Sequence, residues 1–560
     1  MNHHTIGALL IPLCLSCSAA TVSLRPGLPA LDTPGVPALW QSVADADRGE
    51  SHMSLEPAAP YRWVFSRGDA IELRGQIGAE APGTRAMLTV WDWERNPVAQ
   101  QALAVPCRET IDLEVVGRGT YLLTMDLFSD ERCVLRLVRS FGVCPDNRRR
   151  REAWLDDLFF VGTCAFPGRQ HWSNDFGPAH PPGLSEQESR DLDAELSARL
   201  GLQVVRPDLP VQWAGEDAEM DFSRADASME AWTSRGFTLG LQVGQPGDWA
   251  TKEAYTEVTD PKWRYPKREA PTRRYLAECI RRYGPHARFI EAYNETDNLD
   301  FWRGTPQEYI DFARWVAEEA AAAAPRVPVA NAGYTLILPE WTGLLARELR
   351  PLTSMVAYHS HGDVSALDAM RRAMVAVHAA AGYADPVFVN TEMGYAAWRL
   401  DVERSQAATA IQKTLHCWAR GDRGVLLYCS RDIGGPRLRQ GDADWGYLDY
   451  FMCPRFMYGA VAAFIDSYAG ARFEAILSET HPIRAYLFSR GTERLVAVFT
   501  TPDITQKVAI ESDAESASVL DPMGNATPAA DPTRVEVLAG HYPQTIVLQG
   551  ATEVRLGAGG

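Results

Sequence analysis

Eight apolar runs, each followed by a segment with helical periodicity, recur between residues 155 and 470 and constrain the fold more than any other feature. The runs begin at Phe159, Leu202, Phe237, Phe289, Val327, Met355, Val387 and Val425. Buried strands that alternate with helices are typical of parallel sheets, because parallel neighbours need a crossover connection. No Gly-rich dinucleotide turn follows the first run, so the pattern predicts an α/β fold with a (β/α)8 TIM barrel rather than an open doubly wound sheet.

Two of the predicted barrel helices carry clear start signals. Ser185 and Glu188 have the spacing of a capping box, and the helix that follows is expected to end at Gly201. Thr305 and Glu308 repeat the same spacing before an apolar stripe with helical period. These signals fix the phase of the repeat, because each helix must follow one strand and precede the next.

The segments on either side of the barrel have a different hydrophobic pattern. Residues 61–150 and 471–560 contain short alternating apolar runs between turn residues, which predicts an N-terminal and a C-terminal β-sandwich. The barrel itself is assigned to residues 151–470. Residues 21–60 are rich in Pro and Ala and are interpreted as a linker or arm. The basic run Arg148–Arg151 marks the junction between the first sandwich and the barrel.

The first twenty residues have the character of a processing segment. Thr5–Leu15 is an apolar run too short to span a bilayer, and small residues at Ser18–Ala20 suit cleavage, so residues 1–20 are expected to be a signal peptide. We therefore expect a secreted, periplasmic or cell-surface protein, and Cys17 leaves a lipid anchor open. No later stretch approaches about 18 uninterrupted apolar residues, so no membrane span is expected.

Charge and cysteine content narrow the choice of partners. The chain has 55 Lys and Arg against 72 Asp and Glu, a formal net charge of −17, and such a field repels nucleic acid. No Cys or His set has the spacing of a structural zinc site, and no metal or cofactor is expected. Cys107, Cys133 and Cys144 lie in one region and are interpreted either as disulfide partners or as buried thiols. The oligomeric state is left open.

A TIM barrel places its functional side chains at the carboxyl ends of its strands and in the loops that follow. Candidate residues at these positions are Trp172, Arg206, Trp249, Asn294, Glu295, Trp302, His359, His361, Glu392, Trp398 and Tyr428. Glu295 and Glu392 follow the fourth and seventh strands, so only closure of the barrel can bring the two carboxylates together. Retaining glycoside hydrolysis needs two such groups, about 5 to 5.5 Å apart.

Two segments carry a specific resemblance. Phe289–Pro306, with the letters FIEAYNETDNLDFWRGTP, and Val387–Gly394, with the letters VFVNTEMG, are similar to the catalytic segments of the clan A retaining (β/α)8 glycoside hydrolases. The first is closest to family 39, the β-xylosidase and iduronidase group. The chain departs from that pattern at Tyr293 and Thr296, where the family usually has Trp and Pro. The resemblance implies a glycosidase that cleaves oligo- or polysaccharide through a covalent glycosyl-enzyme intermediate.

The same resemblance assigns roles to individual residues. It makes Glu295 the acid/base, Glu392 the nucleophile and Asn294 the donor to the sugar 2-hydroxyl, while Arg206 resembles the arginine that holds the nucleophile. His359 and His361 are expected to bond Glu392 or a sugar hydroxyl. Tyr428 is a candidate contact to the sugar, and Trp172, Trp249, Trp302 and Trp398 are candidate stacking platforms.

Two other functions stay open at this point. A non-catalytic carbohydrate-binding protein could use the same scaffold, although both carboxylates are present. A metal-dependent barrel hydrolase could use His359 and His361, although such enzymes commonly carry a His-x-His on the first strand. The sugar, its linkage and the choice between exo and endo action are also open, because they depend on loops and not on the fold.

Overall fold

The structure, a computed structural model, describes residues 53–151, 159–166, 180–397, 400–432 and 444–557, apart from positions 79, 82, 114, 116, 131, 182, 502 and 503. The predicted leader with Cys17, most of the predicted arm, Trp172 and Trp398 lie outside the described residues. Among the helices of this part of the chain, none is long and apolar enough to cross a membrane.

The N-terminal domain is a sandwich of two sheets. Its strands are β1 (Met53–Pro57), β2 (Val64–Phe65), β3 (Ile71–Ile77), β4 (Arg85–Trp91), β5 (Pro97–Leu103), β6 (Cys107–Leu113), β7 (Gly119–Ser129) and β8 (Arg132–Val143). One sheet has the order β1-β3-β6 and the other β2-β8-β7-β4-β5. Alternate residues of β3, such as Ile71 and Leu73, pack against β4 and β7 in one core, as a half-buried strand requires.

Strand β1 lies inside the segment 21–60 that the sequence analysis interprets as an arm. It pairs with β3 over its whole length, from Met53 opposite Ile77 to Pro57 opposite Leu73. Its burial alternates, with Met53 and Leu55 in the sandwich core. The sandwich therefore begins before the predicted boundary at residue 61.

The central domain is the predicted (β/α)8 barrel. Its strands are β9 (Phe160–Ala165), β10 (Val204–Pro207), β11 (Thr238–Val243), β12 (Ala287–Ala292), β13 (Val329–Ala330), β14 (Val356–His361), β15 (Phe388–Gly394) and β16 (Gly424–Tyr428). All are parallel, and the last strand pairs with the first through Gly424 opposite Phe160. Isolated bridges from Ala330 to Met355 and from Tyr334 to Tyr358 link β13 to β14, so the sheet closes. Each of the eight predicted runs forms one strand.

Helices alternate with these strands. They are α1 (Glu186–Leu200), α2 (Ser223–Thr233), α3 (Glu269–Tyr283), α4 (Pro306–Ala323), α5 (Pro339–Leu349), α6 (Val364–Ala380), α7 (Leu400–Ala419) and α8 (Phe456–Tyr468). Both predicted capping boxes are confirmed, since the Ser185 and Thr305 side chains accept the backbone N–H of Glu188 and Glu308. Gly201 ends α1 with a φ of 86°, in the left-handed region that favours glycine.

The C-terminal domain is a second sandwich. Its strands are β17 (Arg472–Ser478), β18 (Ile483–Arg490), β19 (Glu493–Thr500), β20 (Gln506–Ser512), β21 (Ser516–Leu520), β22 (Ala526–Pro528), β23 (Arg534–Ala539), β24 (Gln544–Gln549) and β25 (Val554–Leu556). One face of β18 and β19 packs on the three-stranded sheet β23-β20-β25. The opposite face, with Tyr486, Phe488 and Phe499, belongs to the same apolar core as the barrel helices.

Six cysteines of the described residues are buried free thiols: Cys144, Cys164, Cys279, Cys417, Cys429 and Cys453. In the predicted cluster, Cys107 and Cys133 are half-buried, and Cys144 fits the interpretation as a buried thiol. Burial raises the pKa of Cys144 to about 12, which keeps it in the unreactive thiol form.

Candidate active site

Arg206, on β10, ties together three side chains from other strand ends. Its Nη1 donates to Oε1 of Glu392 at 2.6 Å, its Nε donates to Oε2 of Glu291 at 2.8 Å, and its Nη2 donates to Oδ1 of Asn294 at 2.7 Å. The guanidinium is fully buried, and such a planar fork fixes the direction of each acceptor. The predicted contact between Arg206 and Glu392 is thus present.

Asn294 is oriented by two donors. Its Oδ1 accepts from Arg206 and, at 3.0 Å, from Nε2 of Gln242 on β11. Its Nδ2 makes no hydrogen bond to any residue that the structure describes. An amide that is held by its oxygen presents its two N–H donors to whatever enters the strand-end cleft.

The backbone after β12 leaves the extended conformation to place Glu295. Tyr293 has a φ of 79° and Glu295 a φ of 40°, both in the left-handed region that is uncommon outside glycine. Hydrogen bonds hold the segment, since the Tyr293 hydroxyl donates to the carbonyl of Trp263 at 3.0 Å and Asn298 Nδ2 donates to Oε2 of Glu295 at 3.0 Å. Asp297 accepts the backbone N–H groups of the loop after β13.

His359, on β14, lies between three carboxylates. Its Nδ1 is 2.7 Å from Oε1 of Glu295 and 3.5 Å from Oε2 of Glu392, and its Nε2 is 3.6 Å from Oε1 of Glu291. Burial alone would lower the pKa of His359, but the attraction of these carboxylates raises it to about 10. The imidazole is therefore protonated and cationic near neutral pH.

Glu392, on β15, lies beside Arg206, His359 and His361. Burial alone would raise its pKa, but His359, Arg206 and His361 together lower the pKa of Glu392 well below its usual range. His361 Nε2 lies 3.6 Å from Oε2 of the same carboxylate. Glu392 is consequently ionised at neutral pH while only 7% of its surface is exposed.

The two predicted catalytic carboxylates lie close together. Glu295, His359, His361 and Glu392 each contribute one side-chain oxygen or ring nitrogen to a cluster. Any two of these four atoms lie within 4.8 Å of each other. The separation between a Glu295 oxygen and a Glu392 oxygen is therefore below that limit. These two groups come from β12 and β15, as the strand-end rule predicts.

The same four residues could in principle hold a metal ion. Metal ligation by histidine needs an unprotonated ring nitrogen. In His359 the Nδ1 points at Glu295 at 2.7 Å, and the raised pKa keeps both ring nitrogens protonated. Without a metal ion, His359 therefore donates to the carboxylates around it.

An aromatic wall borders this cluster. Tyr428, at the end of β16, packs edge-on against His361 at 5.5 Å between centroids and against Trp445 at 5.7 Å. Trp445 also packs against His361 at 5.1 Å. All three are partly exposed. The structure therefore places Tyr428 beside the cluster, as predicted, and adds Trp445, which the sequence analysis did not select.

The two other predicted tryptophans that the structure describes have different surroundings. Trp302 is 1% exposed and packs edge-on against Tyr293 and Tyr309 in the barrel core, so it offers no ring face to a sugar. This corrects its assignment as a stacking platform. Trp249 is half-buried after β11, where its Nε1 donates to the carbonyl of Trp213 at 2.8 Å and their rings meet edge-on.

Glu291 and Gly333 are two further residues of this cluster that the sequence did not reveal. Glu291, on β12, is completely buried and also accepts the N–H of Gly333 and the hydroxyl of Thr391, each at 3.1 Å. Gly333 leaves room for His359, because a Cβ there would lie 2.1 Å from Nε2 of the imidazole. The available signal for Glu291 was its place in a predicted barrel strand, directly after the apolar residues Phe289 and Ile290.

Lys413, on α7, supports the strands that carry His361 and Glu392. Its Nζ donates to the carbonyls of Ser360 at 2.7 Å, Gly362 at 3.1 Å and Gly394 at 3.1 Å. Burial lowers the pKa of Lys413 to about 7. One side chain of the helix layer therefore ties the ends of β14 and β15 together.

Comparison with known proteins supports the architecture. No family model and no curated protein matches the sequence. Among solved structures, the chain is similar to a family 39 glycoside hydrolase from the gut symbiont Bacteroides cellulosilyticus WH2, with 13% identity, a TM-score of 0.65, and coverage of 89% of this chain and 100% of that chain. The chain has the fold of that glycoside hydrolase. The fold implied by the two segments is thus confirmed.

Two further solved structures each match 70% of this chain. One is a monomeric β-xylosidase from Caulobacter crescentus CB15, with 13% identity, a TM-score of 0.46, and coverage of 70% of this chain and 96% of that chain. The other is a GH30 endoxylanase from Clostridium papyrosolvens C71, with 12% identity, a TM-score of 0.47, and coverage of 70% and 97%.

Proposed function

We propose that the protein is a retaining glycoside hydrolase in which Glu392 is the nucleophile and Glu295 the acid/base. The observation that carries the proposal is the short distance between the two carboxylates, below 4.8 Å between their nearest oxygens. Retaining enzymes hold their carboxyl groups about 5 to 5.5 Å apart, whereas inverting enzymes need about 6.5 to 9.5 Å to admit a water. The cluster has no space for that water between the two groups.

The charges suit the first half-reaction. Ionised Glu392 attacks the anomeric carbon and forms a glycosyl ester, while the bond from that carbon to the leaving oxygen breaks. Glu295 enters this step in its protonated form and gives that proton to the leaving oxygen, so the alcohol departs neutral and the Glu295 carboxylate that remains is paired with the His359 imidazolium. Arg206 and His361 keep Glu392 in the anionic form that the attack needs.

The second half-reaction uses the same groups in reverse. Glu295, now a carboxylate beside the His359 imidazolium, takes a proton from water as the water oxygen attacks the anomeric carbon. The ester bond breaks and Glu392 returns as a carboxylate. Asn294, held by Arg206 and Gln242, offers its Nδ2 to the sugar 2-hydroxyl.

Glu291 acts as a positioning residue in this scheme. It accepts from Arg206 at 2.8 Å and lies 3.6 Å from His359, so one buried carboxylate restrains both cations that face Glu392. A buried network of this kind holds its geometry only while every member is satisfied. The substrate is a glycoside of undetermined sugar, and Tyr428 and Trp445 form the wall against which its ring would pack.

The decisive experiment compares Glu392→Ala, Glu295→Ala and the control Glu340→Ala on a panel of nitrophenyl glycosides. Glu340 is an exposed carboxylate at the start of α5. Removing the nucleophile is expected to lower kcat by about 10⁴-fold or more, since catalytic residues act as a unit. Azide should rescue Glu392→Ala and give a glycosyl azide of inverted configuration, whereas Glu295→Ala should give the retained anomer.

Each alternative has its own signature in the same assay. Wild-type rates in both carboxylate variants would overturn the assignment of residues. Binding of saccharide without turnover by the wild type would indicate a non-catalytic carbohydrate-binding protein. Loss of turnover on treatment with a chelator, restored by added metal, would indicate the metal-dependent hydrolase instead.

A further inference from the structure

A groove lined by four arginines lies where the two sandwiches meet the barrel. Its volume is about 470 Å³. The arginines come from separate parts of the chain: Arg67 lies between β2 and β3, Arg118 precedes β7, Arg150 lies in the short 3-10 turn at the domain junction, and Arg490 ends β18. Among the described residues, Asp466 of α8 is the one carboxylate that lines the groove.

Neighbouring groups hold three of the four guanidinium groups in place. Asp466 binds Arg118 at 2.7 Å and Arg150 at 2.6 Å, so one carboxylate keeps two cations side by side. Arg490 pairs with Glu493 at 2.6 Å. These contacts fix the positions of the charges without neutralising all of them.

Asn525 fixes the backbone at Arg118 from the other side of the groove. Its Oδ1 accepts the Arg118 N–H at 2.8 Å and its Nδ2 donates to the Arg118 carbonyl at 3.1 Å. A strand of the first sandwich is thereby joined to a turn of the second. The groove is a feature built by two domains and not a chance meeting of long side chains.

The groove is electropositive on an acidic protein. Two carboxylates, Asp466 and Glu493, face four guanidinium groups, and Arg67 makes no ion pair with any residue that the structure describes. The chain as a whole carries a formal charge of −17. Like charges held close together repel unless an anion lies between them, so the site favours a ligand with several negative groups.

The lining distinguishes between ligand classes. The guanidinium fork binds carboxylate or sulfate oxygens in pairs, and four forks on separate segments match an anion that repeats along a chain. No aromatic ring is found among the described residues that line the groove, which disfavours stacking on neutral sugars. We propose that this groove is an accessory site that binds an acidic polysaccharide through its carboxylate or sulfate groups. The identification of the ligand as a saccharide rests on the proposed function.

The test uses the full protein with Arg67→Ala/Arg150→Ala, which removes two cations and leaves Arg118 to pair with Asp466. The control is Arg534→Ala/Arg555→Ala, which removes two exposed cations that pair with Glu511 elsewhere on the second sandwich. Affinity electrophoresis in polygalacturonate, chondroitin sulfate and neutral xylan measures binding. Thermal unfolding of both variants shows whether they fold.

The groove variant is expected to lose about tenfold or more in affinity for the acidic polysaccharides, because several charge-assisted contacts disappear. The control variant should lose less than about twofold, and wild-type binding should weaken as salt screens the charges. Hydrolysis of nitrophenyl glycosides should be unchanged in both variants. Because binding is measured without turnover, failure of the proposed catalytic function would leave this result intact.

Several outcomes would overturn the proposal. Unchanged retention of the groove variant would show that these arginines do not bind the polysaccharide. An equal loss of affinity in the control variant would show that binding depends only on the net charge of the protein. Competition by low millimolar inorganic sulfate with full release of the polysaccharide would indicate a site for a small ion. Stronger retention in polyuridylate than in either acidic polysaccharide would indicate a nucleic acid site.

Discussion

Glu392 and Asp432 are buried carboxylates near the ends of neighbouring barrel strands, and each is paired with a buried arginine. Their pKa values are nevertheless shifted in opposite directions. The pKa of Glu392 is lowered, whereas burial raises the pKa of Asp432 despite its contact with Arg455. Arg206 shares its task at Glu392 with two histidines, but Arg455 is itself shared among Asp432, Glu403 and Asp444. The balance of cations to carboxylates, more than burial or an arginine partner, sets the direction in which each pKa is shifted.

The largest expected effect comes from removing the two arginines in turn. Arg206→Met should lower kcat/KM by about 10³-fold, because Glu392, the proposed nucleophile, and Asn294 both lose their donor. Arg455→Met should instead reduce the free energy of unfolding by about 3 to 5 kcal/mol, as expected when a buried pair loses one partner. Kinetics with nitrophenyl glycosides and urea titrations separate these outcomes, and a comparable kinetic loss in both variants would contradict the distinction.

His359 provides the second contrast. His359→Gln should lower kcat by about 10²-fold, within the range for loss of a group that assists proton transfer. Because the folded-state pKa of His359 is raised from 6.5 to about 10, its protonated form stabilises the fold fully below the lower value and loses that effect as pH rises through the upper one. Urea titrations from pH 6 to about pH 10 should show this decline in the wild type and not in the variant.

Gly333→Ala should have a smaller effect. Its Cβ would lie 2.1 Å from His359 Nε2 and displace the imidazole, so kcat should fall by about tenfold, in line with small misplacements at active sites. Gly244→Ala is the matched control, since it lies after β11 and its Cβ would have no neighbour within 4 Å. Equal kinetics in the two variants would show that the imidazole position is not critical.

Most of the fold could be predicted because its signals are local. The capping boxes at Ser185 and Thr305 and the eight apolar runs depend on neighbours in sequence. Glu295 and Glu392 were accessible by one further rule, that strand ends of a closed barrel converge. The start of the first sandwich was harder to predict, because β1 is short and is separated from its partner strand β3 by residues 58–70, which include β2.

The rest of the site depends on contacts between distant segments. Glu291 is recognisable as a positioning residue only once Arg206 and His359 lie beside it, and the same holds for Lys413 beneath β14 and β15. Trp302 was misassigned because the direction of a loop tryptophan is set by tertiary packing, here against Tyr293 and Tyr309. Nothing in the local sequence distinguishes a buried ring from one that faces a cleft.

The face of β18 and β19 that packs on the barrel helices links the stability of the two domains. Phe488 packs against Trp418 of α7 at 4.7 Å between ring centroids, and Tyr486 bonds His416 of the same helix at 3.0 Å. Burying one large apolar side chain stabilises a fold by about 1.5 to 3 kcal/mol. A barrel without this sheet would lose that contribution and expose an apolar surface on α7. Each of the two domains therefore completes the apolar core of the other, and a barrel without the second sandwich is expected to be less stable.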